Sequence, residues 1–308
     1  MGVFSLVAAL LLEQLHSLGK RNPFYLGFHH YAAFIERSSN AGQYRHGVVG
    51  WCAAVLPIAV LAGAVAWGLN AVHPLLMWLW NVAVLYLTVG FRQFSSAFTG
   101  ISEALRDGNL DEARRLLAEW TSQPTSELTE AEVSRLSIEH GLTDSYRYVF
   151  GPIFWFMLLG PFGAAGAVAY RASSLLAQEW GLRALRHDEP FGLFASKVGA
   201  WLDWLPVRLT AIGFAVMGDF EDAVYCWRSQ AHAWANYDYG ILLASGAGAI
   251  GVKLGEAIHQ DHTVKFRPEL GLGEDADPNY LQSAVGLIWR SALLWLAVLL
   301  LLGLARLV

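Results

Sequence analysis

The feature that most constrains this chain is a run from Gly50 to about Val72 that contains no charged residue. About 20 consecutive apolar residues form a helix long enough to cross the hydrocarbon core of a bilayer. Inside that core the backbone must satisfy its own hydrogen bonds, and an α-helix does so. The run therefore predicts a membrane-spanning helix, and with it an integral membrane protein.

Two further segments have the length and apolarity of membrane-spanning helices, Leu75–Phe91 and about Leu287–Leu307. Arg290 and Arg306 lie near the ends of the second, where long side chains reach the interface. Only 15% of the residues are charged and 55% are hydrophobic, too few polar residues to coat a water-exposed surface. We expect a multi-pass protein of a bacterial inner membrane, with the lipid bilayer as partner. The net charge of −5 gives no reason to expect a nucleic-acid partner.

Four other apolar stretches lack simple spanning length: Val3–Leu18, Tyr148–Tyr170, Leu209–Gly218 and Tyr239–Val252. The sequence GPFG at 160–163 interrupts the second, and the last two are short enough to be re-entrant, interfacial or tightly packed helices. Basic residues cluster in three loops, which all face the cytoplasm only if the broken segment returns to the side it entered. We therefore predict an all-α polytopic fold with an external N-terminus, about four transmembrane helices and one re-entrant or broken helix.

The stretch from Ser102 to His140 is amphipathic rather than apolar. Apolar residues recur at helical spacing from Leu105 to Trp120, with charged residues on the opposite face. Thr129 followed by Glu132 is typical of a capping box that opens a second helix. We predict one membrane domain over residues 1–308 that carries a cytoplasmic helical hairpin at about 93–146. Residues 102–140 of that hairpin are the surface available to a cytoplasmic protein partner.

No standard catalytic motif is present: the chain lacks a phosphate-binding loop, an HExxH zinc helix and a GxSxG nucleophile elbow. His259 and His262 flank Asp261, a weak spacing signal for a metal site. Cys52 and Cys226 are far apart and are interpreted as small buried hydrophobic residues. The metal content is left unknown, with Mg²⁺ the cofactor expected if the chain is an enzyme.

Five ionisable residues occupy positions where lipid penalises charge, since such groups need a wet cavity or a partner. They are Glu13, Glu139, Arg171, Asp203 and Arg208. One interpretation is a cytoplasm-facing pocket that binds an anionic small molecule. The other is a set of internal ion pairs, such as Asp203 with Arg171 or Arg208, that fix helix register.

Several segments together resemble one family of membrane proteins. The segment LDWLPVRLT at 202–210 is similar to the D-W-[IL]-P-x-R-L-T segment of the adenosylcobinamide-phosphate synthases (CobD/CbiB). GPIFW at 151–155, GAVAYR at 166–171 and GAIGVKLG at 248–255 resemble further motifs of that family. The resemblance extends along nearly the whole chain and includes the AmpE branch, membrane proteins associated with β-lactamase induction.

The resemblance implies an enzyme that forms an amide bond between adenosylcobyric acid and aminopropanol or its phosphate, so a corrinoid is an expected ligand. Carboxylates and guanidinium groups suit that chemistry, because the first can position a metal or an amine and the second bind anions. The implied catalytic residues are Glu139, Asp144 and Asp203, and the implied ligand-binding residues are Arg147, Arg171 and Arg208, with Glu13 in the same pocket.

Some polar motifs of the synthases are replaced here. The residues at 143–148 are TDSYRY where the synthases carry E-N-x-x-D-G, and SSLLA at 173–177 stands where they carry V-N-T-L-D. AmpE proteins resemble this version, with an arginine where Arg147 stands. We therefore expect a divergent family member whose synthase activity is reduced, altered or absent. The alternative is a non-catalytic, AmpE-like sensor or regulator of the cell-wall or β-lactamase response.

Overall fold

A computed structural model describes residues 2–15, 23–260 and 262–305. Asp261 and Arg306, both singled out above, lie outside the described residues. The α-helices are α1 Gly2–Leu15, α2 Pro23–Ser39, α3 Tyr44–Val72, α4 Pro74–Thr88, α5 Phe91–Arg106, α6 Leu110–Thr121, α7 Glu130–Ser145, α8 Gly151–Leu158, α9 Gly163–Leu176, α10 Leu182–His187, α11 Leu193–Met217, α12 Phe220–Gln230, α13 Tyr237–Ile250 and α14 Pro278–Ala305. The predicted helical fold class is confirmed.

Shorter elements complete this part of the chain. Two π-helical turns occupy Tyr146–Phe150 and Ala177–Gly181, and 3₁₀ turns occupy Gly160–Phe162, Pro190–Gly192 and Ala231–Ala233. Four short strands are β1 Val252–Lys253, β2 Ile258–Gln260, β3 Thr263–Lys265 and β4 Glu274–Asp275. The chain divides into two compact units, which we describe separately. Unit 1 comprises Met1–Phe91 and Arg147–Trp204, and unit 2 comprises Arg92–Tyr146 and Leu205–Val308.

Unit 1 is organised around the long helix α3, which packs against α2, α4 and α9. A Cβ atom on Gly47 of α3 would stand 1.9 Å from the carbonyl oxygen of Phe191. Only glycine permits so close an approach. The absence of a side chain at this position lets the 3₁₀ turn Pro190–Gly192 pack directly against α3. The core of this unit is built from aromatic and small residues: Tyr25, Phe28, Ala32, Ala54, Val55, Ala172, Leu175, Leu176, Trp180, Phe191 and Ala195.

Helices α8 and α9 form a tight antiparallel hairpin across the predicted break. The chain reverses at Gly160, whose φ of +54° lies in the left-handed region. A Cβ atom on Gly166 would stand 2.5 Å from the Trp155 carbonyl oxygen, and one on Gly163 2.5 Å from that of Phe156. The GPFG sequence thus ends one helix and starts a second that packs on it. Its re-entry into a membrane stays a prediction.

In unit 2, α13 is a largely enclosed helix, because every residue from Gly240 to Ala249 is buried. It packs against α7, α12 and α14. A Cβ atom on Gly248 would stand 2.6 Å from the carbonyl oxygen of Asp222, which explains the small residues in this helix. Of the alternatives for Tyr239–Val252, the tightly packed helix is the one found.

The four strands, which the sequence did not indicate, lie in the segment between α13 and α14. β1 pairs in parallel with β4, β2 pairs antiparallel with β3, and Leu254 forms an isolated antiparallel bridge with Leu270. These pairings fold the segment into a compact part of unit 2, which side chains of α7 contact.

Three helices of the described chain are long and apolar enough to cross a membrane, judged by length and composition: Tyr44–Val72, Pro190–Met217 and Pro278–Ala305. Two of them confirm predicted apolar segments. The other predicted span, Leu75–Phe91, contains α4, which has 15 residues. At about 1.5 Å per residue it is shorter than the roughly 30 Å hydrocarbon core. Several membrane passes are supported, while the number of four is not confirmed.

Helix α11 corrects the interpretation of Leu209–Gly218 as a separate short segment. That interpretation rested on the short length of the apolar stretch, which the charged residues Asp203 and Arg208 precede. In the structure one helix of 25 residues continues through Pro206. Both charged side chains have hydrogen-bond partners, which removes the penalty that had argued against a continuous helix.

The predicted first helix of the amphipathic hairpin is wrong in one respect. Apolar spacing continued from Leu105 through Leu110, yet the chain breaks between them. Gly108 adopts φ +70° and the Asn109 side chain accepts a hydrogen bond from the Glu112 backbone N–H, so α6 starts at a new cap. The predicted capping box of Thr129 at the start of α7 is confirmed.

Candidate functional site

The most unusual charged group of unit 1 is the guanidinium of Arg171 in α9, whose side chain has no solvent exposure. Its Nε donates a hydrogen bond to the Tyr25 hydroxyl at 2.7 Å, and its Nη1 donates to the Arg147 carbonyl at 3.4 Å. The guanidinium carbon lies 4.6 Å from the centre of the Tyr25 ring and 4.1 Å from that of Tyr148. Two tyrosines thus hold this cation by hydrogen bonding and cation–π contact.

Asp203 is positioned by the residue next to Arg171. Its Oδ1 accepts a hydrogen bond from the Tyr170 hydroxyl at 3.1 Å. The Tyr170 ring is buried, and it fits there because Gly151 has no side chain: a Cβ atom on Gly151 would stand 2.3 Å from ring atom Cζ. Asp203 itself is only half-buried. Of the two ion pairs predicted as alternatives, Asp203 with Arg171 is not formed.

Glu13 and Arg147 also belong to unit 1. Glu13 is buried in α1 and its charge acts on the Tyr25 hydroxyl. Arg147 lies in the first π-helical turn, and its carbonyl oxygen is the acceptor for Arg171. Wide π-helical turns are frequent at functional sites, and this one places Arg147 and Tyr148 beside the buried guanidinium.

In unit 2, Glu139 of α7 is buried and both its carboxylate oxygens are engaged. Oε1 accepts a hydrogen bond from the Gly255 backbone N–H at 2.9 Å, and Oε2 forms an ion pair with Arg267 at 2.6 Å. The Arg267 guanidinium in turn donates to the Gly255 carbonyl at 2.7 Å and lies 5.7 Å from the Trp234 ring centre. These contacts clasp the β-containing segment onto α7.

Two more residues on α7 grip the same segment. Arg135 forms an ion pair with Glu256 and donates to the Gly255 carbonyl at 3.2 Å. Glu132 accepts from His259, from the backbone N–H at 2.9 Å and the ring Nδ1 at 2.8 Å. Burial acts to raise the pKa of the Glu132 carboxyl, but hydrogen bonds from Thr129 and His259 outweigh it, so this pKa is lowered.

The remaining predicted residues of unit 2 each have a local partner. Asp144 is buried and accepts a hydrogen bond from the Trp120 indole N–H at 3.0 Å. Arg208 forms an ion pair with Asp238 at 2.9 Å. The first contact joins α6 to α7 and the second joins α11 to α13, so both have a structural role.

The predicted site residues thus fall into two groups. Unit 1 holds Glu13, Arg147, Arg171 and Asp203, while unit 2 holds Glu139, Asp144 and Arg208. Sequence reasoning missed Tyr25 and Tyr148, which enclose Arg171, and Arg267, which neutralises Glu139. In the sequence, Tyr148 could have been suspected only because it follows Arg147 directly. Neither Tyr25 nor Arg267 belongs to a motif that would have indicated a role in the site.

Among the described residues, no group of three or more His, Cys, Asp and Glu side chains could hold a metal ion. His259 is engaged by Glu132, and His262 forms an ion pair with Glu127 at 2.5 Å.

Comparisons with known proteins identify relatives over almost the full length. The family model for CobD/Cbib proteins matches residues 6–288. The cobalamin biosynthesis protein CobD of Stutzerimonas stutzeri (strain A1501) is 37% identical over 305 residues, which are 97% of this chain and 98% of that protein. The protein of the same name from Chromobacterium violaceum is 35% identical over 296 residues, 94% of this chain and 93% of the relative. No solved structure matches the chain.

These matches lend no support to the expected divergence or to an AmpE-like branch. They cover both units, including the segments with Arg171 and Asp203 and the clasp of α7. From the family match and the two full-length relatives it follows that this chain belongs to the CobD/CbiB family.

Proposed function

We propose that this protein acts in cobalamin biosynthesis, in a bacterial inner membrane, by forming an amide bond between a corrinoid carboxylate and aminopropanol or its phosphate. The observation that carries the proposal is the similarity over nearly the whole chain to proteins named for cobalamin biosynthesis. The arrangement of unit 1 supports it, because the adjacent α9 residues Tyr170 and Arg171 bind a half-buried carboxylate and supply a buried guanidinium.

Asp203 is the proposed catalytic carboxylate. Amide formation from a carboxylate first needs the carboxyl group to be activated, for which a nucleoside triphosphate is the co-reactant and phosphate the group that leaves. The amine attacks the activated carbon only after it has lost the proton of its ammonium form, and a positioned carboxylate can accept that proton. The Tyr170 hydroxyl donates a hydrogen bond to Oδ1 of this half-buried group and so fixes the orientation of the carboxylate. Glu139 and Asp144 remain candidates, although each already has a partner inside unit 2.

The arginines are the proposed binding groups for anionic parts of the substrates, through charge-assisted hydrogen bonds. Arg208 shares its charge with Asp238, so it is partly neutralised. Arg171 has no carboxylate within ion-pair distance in the described chain, and its positive charge is therefore available to a ligand.

Complementation of a synthase-deleted bacterial strain tests the proposal, with corrinoid products measured by mass spectrometry. The wild-type gene is compared with Asp203→Asn, which removes the proton acceptor and keeps the shape. A matched control is Asp188→Asn, an exposed position with φ 54° that asparagine tolerates. We expect rescue by the wild type and by the control, and roughly 10²- to 10⁴-fold less product with Asp203→Asn.

Other results would redirect the proposal. Failure of the wild type to rescue, with membrane expression confirmed, would favour a different substrate or the AmpE-like regulator that uses residues 102–140 as a partner surface. Equal rescue by wild type and Asp203→Asn would keep the enzyme and remove Asp203 from its chemistry.

A further inference from the structure

The hydrogen bonds of Arg171 leave one end of its guanidinium unused. Nε and Nη1 have acceptors in the Tyr25 hydroxyl and the Arg147 carbonyl, whereas Nη2 is buried without any hydrogen-bond partner. Buried polar groups are nearly always hydrogen-bonded, and a charged donor is the costliest to leave without an acceptor. The arrangement is therefore incomplete at one defined atom.

The charge of Arg171 is equally unmatched. Two tyrosine rings flank the guanidinium at 4.6 and 4.1 Å, but aromatic rings do not neutralise a cation as an anion does. The acidic side chain that acts electrostatically on this surrounding is Glu13, through its effect on the Tyr25 hydroxyl. A buried cation held this way is suited to receive an anion from outside the chain.

We propose that Arg171 is the binding residue of a small-oxyanion subsite in unit 1, where a phosphate or carboxylate group accepts hydrogen bonds from Nη2. Tyr25 and Tyr148 are positioning residues: they fix the plane of the guanidinium and turn its unused end toward the ligand. The subsite stands on these contacts alone. It rests on the proposed function only for its natural ligand, the phosphate end of aminopropanol phosphate.

Burial selects the size of the ligand. Because the Arg171 side chain has no exposed surface, the anion must enter by displacing neighbouring side chains. We expect this of a phosphate-sized group and not of a corrinoid, whose ring system is far larger. A surface arginine usually binds an oxyanion through two nitrogens, whereas Arg171 has only Nη2 left for a ligand. The orientation of Nη2 depends on the hydrogen bonds of Nε and Nη1, so loss of the Tyr25 hydroxyl should weaken anion binding.

The test measures binding of inorganic phosphate to the full chain in a neutral detergent, by isothermal titration calorimetry after removal of bound lipid. We expect wild type to bind phosphate, Arg171→Gln to bind about tenfold more weakly or worse, and Tyr25→Phe to bind several-fold more weakly. The matched control is Arg183→Gln, because Arg183 is exposed and paired with Glu36. Tyr25→Phe retains the charge and keeps the test valid should Arg171→Gln fail to fold.

A second arm distinguishes a free anion from a lipid headgroup. Native mass spectrometry of wild type and Arg171→Gln from the same membranes shows whether a phospholipid is retained. Retention by wild type alone would assign the oxyanion to a lipid phosphate, and phosphate binding without lipid retention would assign it to a small ligand; both support the subsite.

Three results would overturn the subsite: no binding of phosphate or lipid by folded wild type, equal binding by Arg171→Gln, or phosphate binding that appears only in Glu13→Gln. The last would show that Glu13 supplies the counter-charge of Arg171 internally. Because inorganic phosphate is the probe, the outcome does not depend on rescue in the complementation experiment.

Discussion

Single residues in this protein show two ways of keeping a charge away from water. Glu139 is buried with both oxygens satisfied, one by Arg267 and one by a backbone N–H. Arg171 is buried with two tyrosine rings around it and one nitrogen unsatisfied. The first arrangement is closed and stabilises unit 2, because breaking a buried pair exposes an uncompensated charge. The second leaves a position for a ligand.

Gly151→Ala tests how tightly the Tyr170–Asp203 contact depends on packing. The added methyl group would stand 2.3 Å from the Tyr170 ring, so the ring must move and its hydrogen bond to Asp203 must weaken. We expect a loss of about 1–3 kcal/mol in the free energy of unfolding, measured by thermal denaturation in detergent. The control is Gly27→Ala in the exposed face of α2, where a Cβ atom meets nothing within 4 Å.

That control should be neutral or stabilising, because alanine favours helices over glycine by about 1 kcal/mol. Equal stability of Gly151→Ala and Gly27→Ala would show that the hairpin of α8 and α9 has more room than the structure indicates.

Cys226 offers a test of burial at a single thiol. Burial and the charge of Asp222 raise the pKa of Cys226 to about 11. At pH 8 only about one thiol in a thousand is then a thiolate, the form that reacts. With Cys52 replaced by serine, we expect the folded protein to resist maleimide labelling at pH 8 and to label fully in denaturant. Rapid labelling of the folded protein would contradict the burial of α12.

Elements of this fold are joined by contacts that side chains on one helix face make with a distant segment. Glu132, Arg135 and Glu139 recur along α7 at helical spacing. Arg135 and Glu139 contact Gly255, which lies between Leu254 and β2, and Glu132 contacts His259 in β2. The π-helical turns interrupt two longer helices and change which residues share a face. Sequence periodicity within one helix does not contain this information.

We predict that the substitution Glu132→Gln lowers the stability of the protein in a pH-dependent way. The lowered pKa of Glu132 means that its contribution is complete above the ordinary carboxyl value of 4.5 and is lost as the pH falls through the lower folded value. Glutamine preserves the capping box and removes the charge. We expect the mutant to be about 1 kcal/mol less stable than wild type at pH 7, with the difference shrinking toward pH 3, followed by thermal denaturation.

Glu130→Gln is the matched control, since Glu130 is an exposed residue of the same helical turn. If the stability difference between Glu132→Gln and wild type stayed constant from pH 7 to pH 3, the prediction would be wrong. The loss would then not come from the charge of the Glu132 carboxylate.

The whole molecule poses a question of membrane sides. Contacts inside unit 2 require α7 and the segment 255–267 to lie on one side of the membrane. Between residue 189 and that segment, α11 is the described helix long and apolar enough to cross. If α11 crosses, residues 130 and 189 lie on opposite sides and the α8–α9 region must cross as well. If that region is re-entrant, both positions face the cytoplasm.

We expect the second topology. Single cysteines introduced as Glu130→Cys and Glu189→Cys, both exposed positions, in a chain whose Cys52 and Cys226 are serine, are labelled with a membrane-impermeant maleimide. Both should react in inverted vesicles and neither in intact spheroplasts. Reaction of position 189 from outside, with position 130 reacting from inside, would establish α11 as a membrane span and contradict the re-entrant hairpin.

The sequence by itself determined the helical class, the membrane character, the family and two of the long apolar helices, because these depend on composition, period and local motifs. The capping box at Thr129 and the reversal at GPFG were likewise readable, since each depends on a few adjacent residues.

Only the tertiary structure decided which charges meet. Arg267 lies 128 residues from Glu139 along the chain, and Tyr25 lies 146 residues from Arg171. The tertiary structure also decided that α11 continues through Pro206 and that Arg208 pairs with Asp238. Whether a buried charge is compensated depends on partners within a few ångströms in space, and a single sequence records neighbours along the chain.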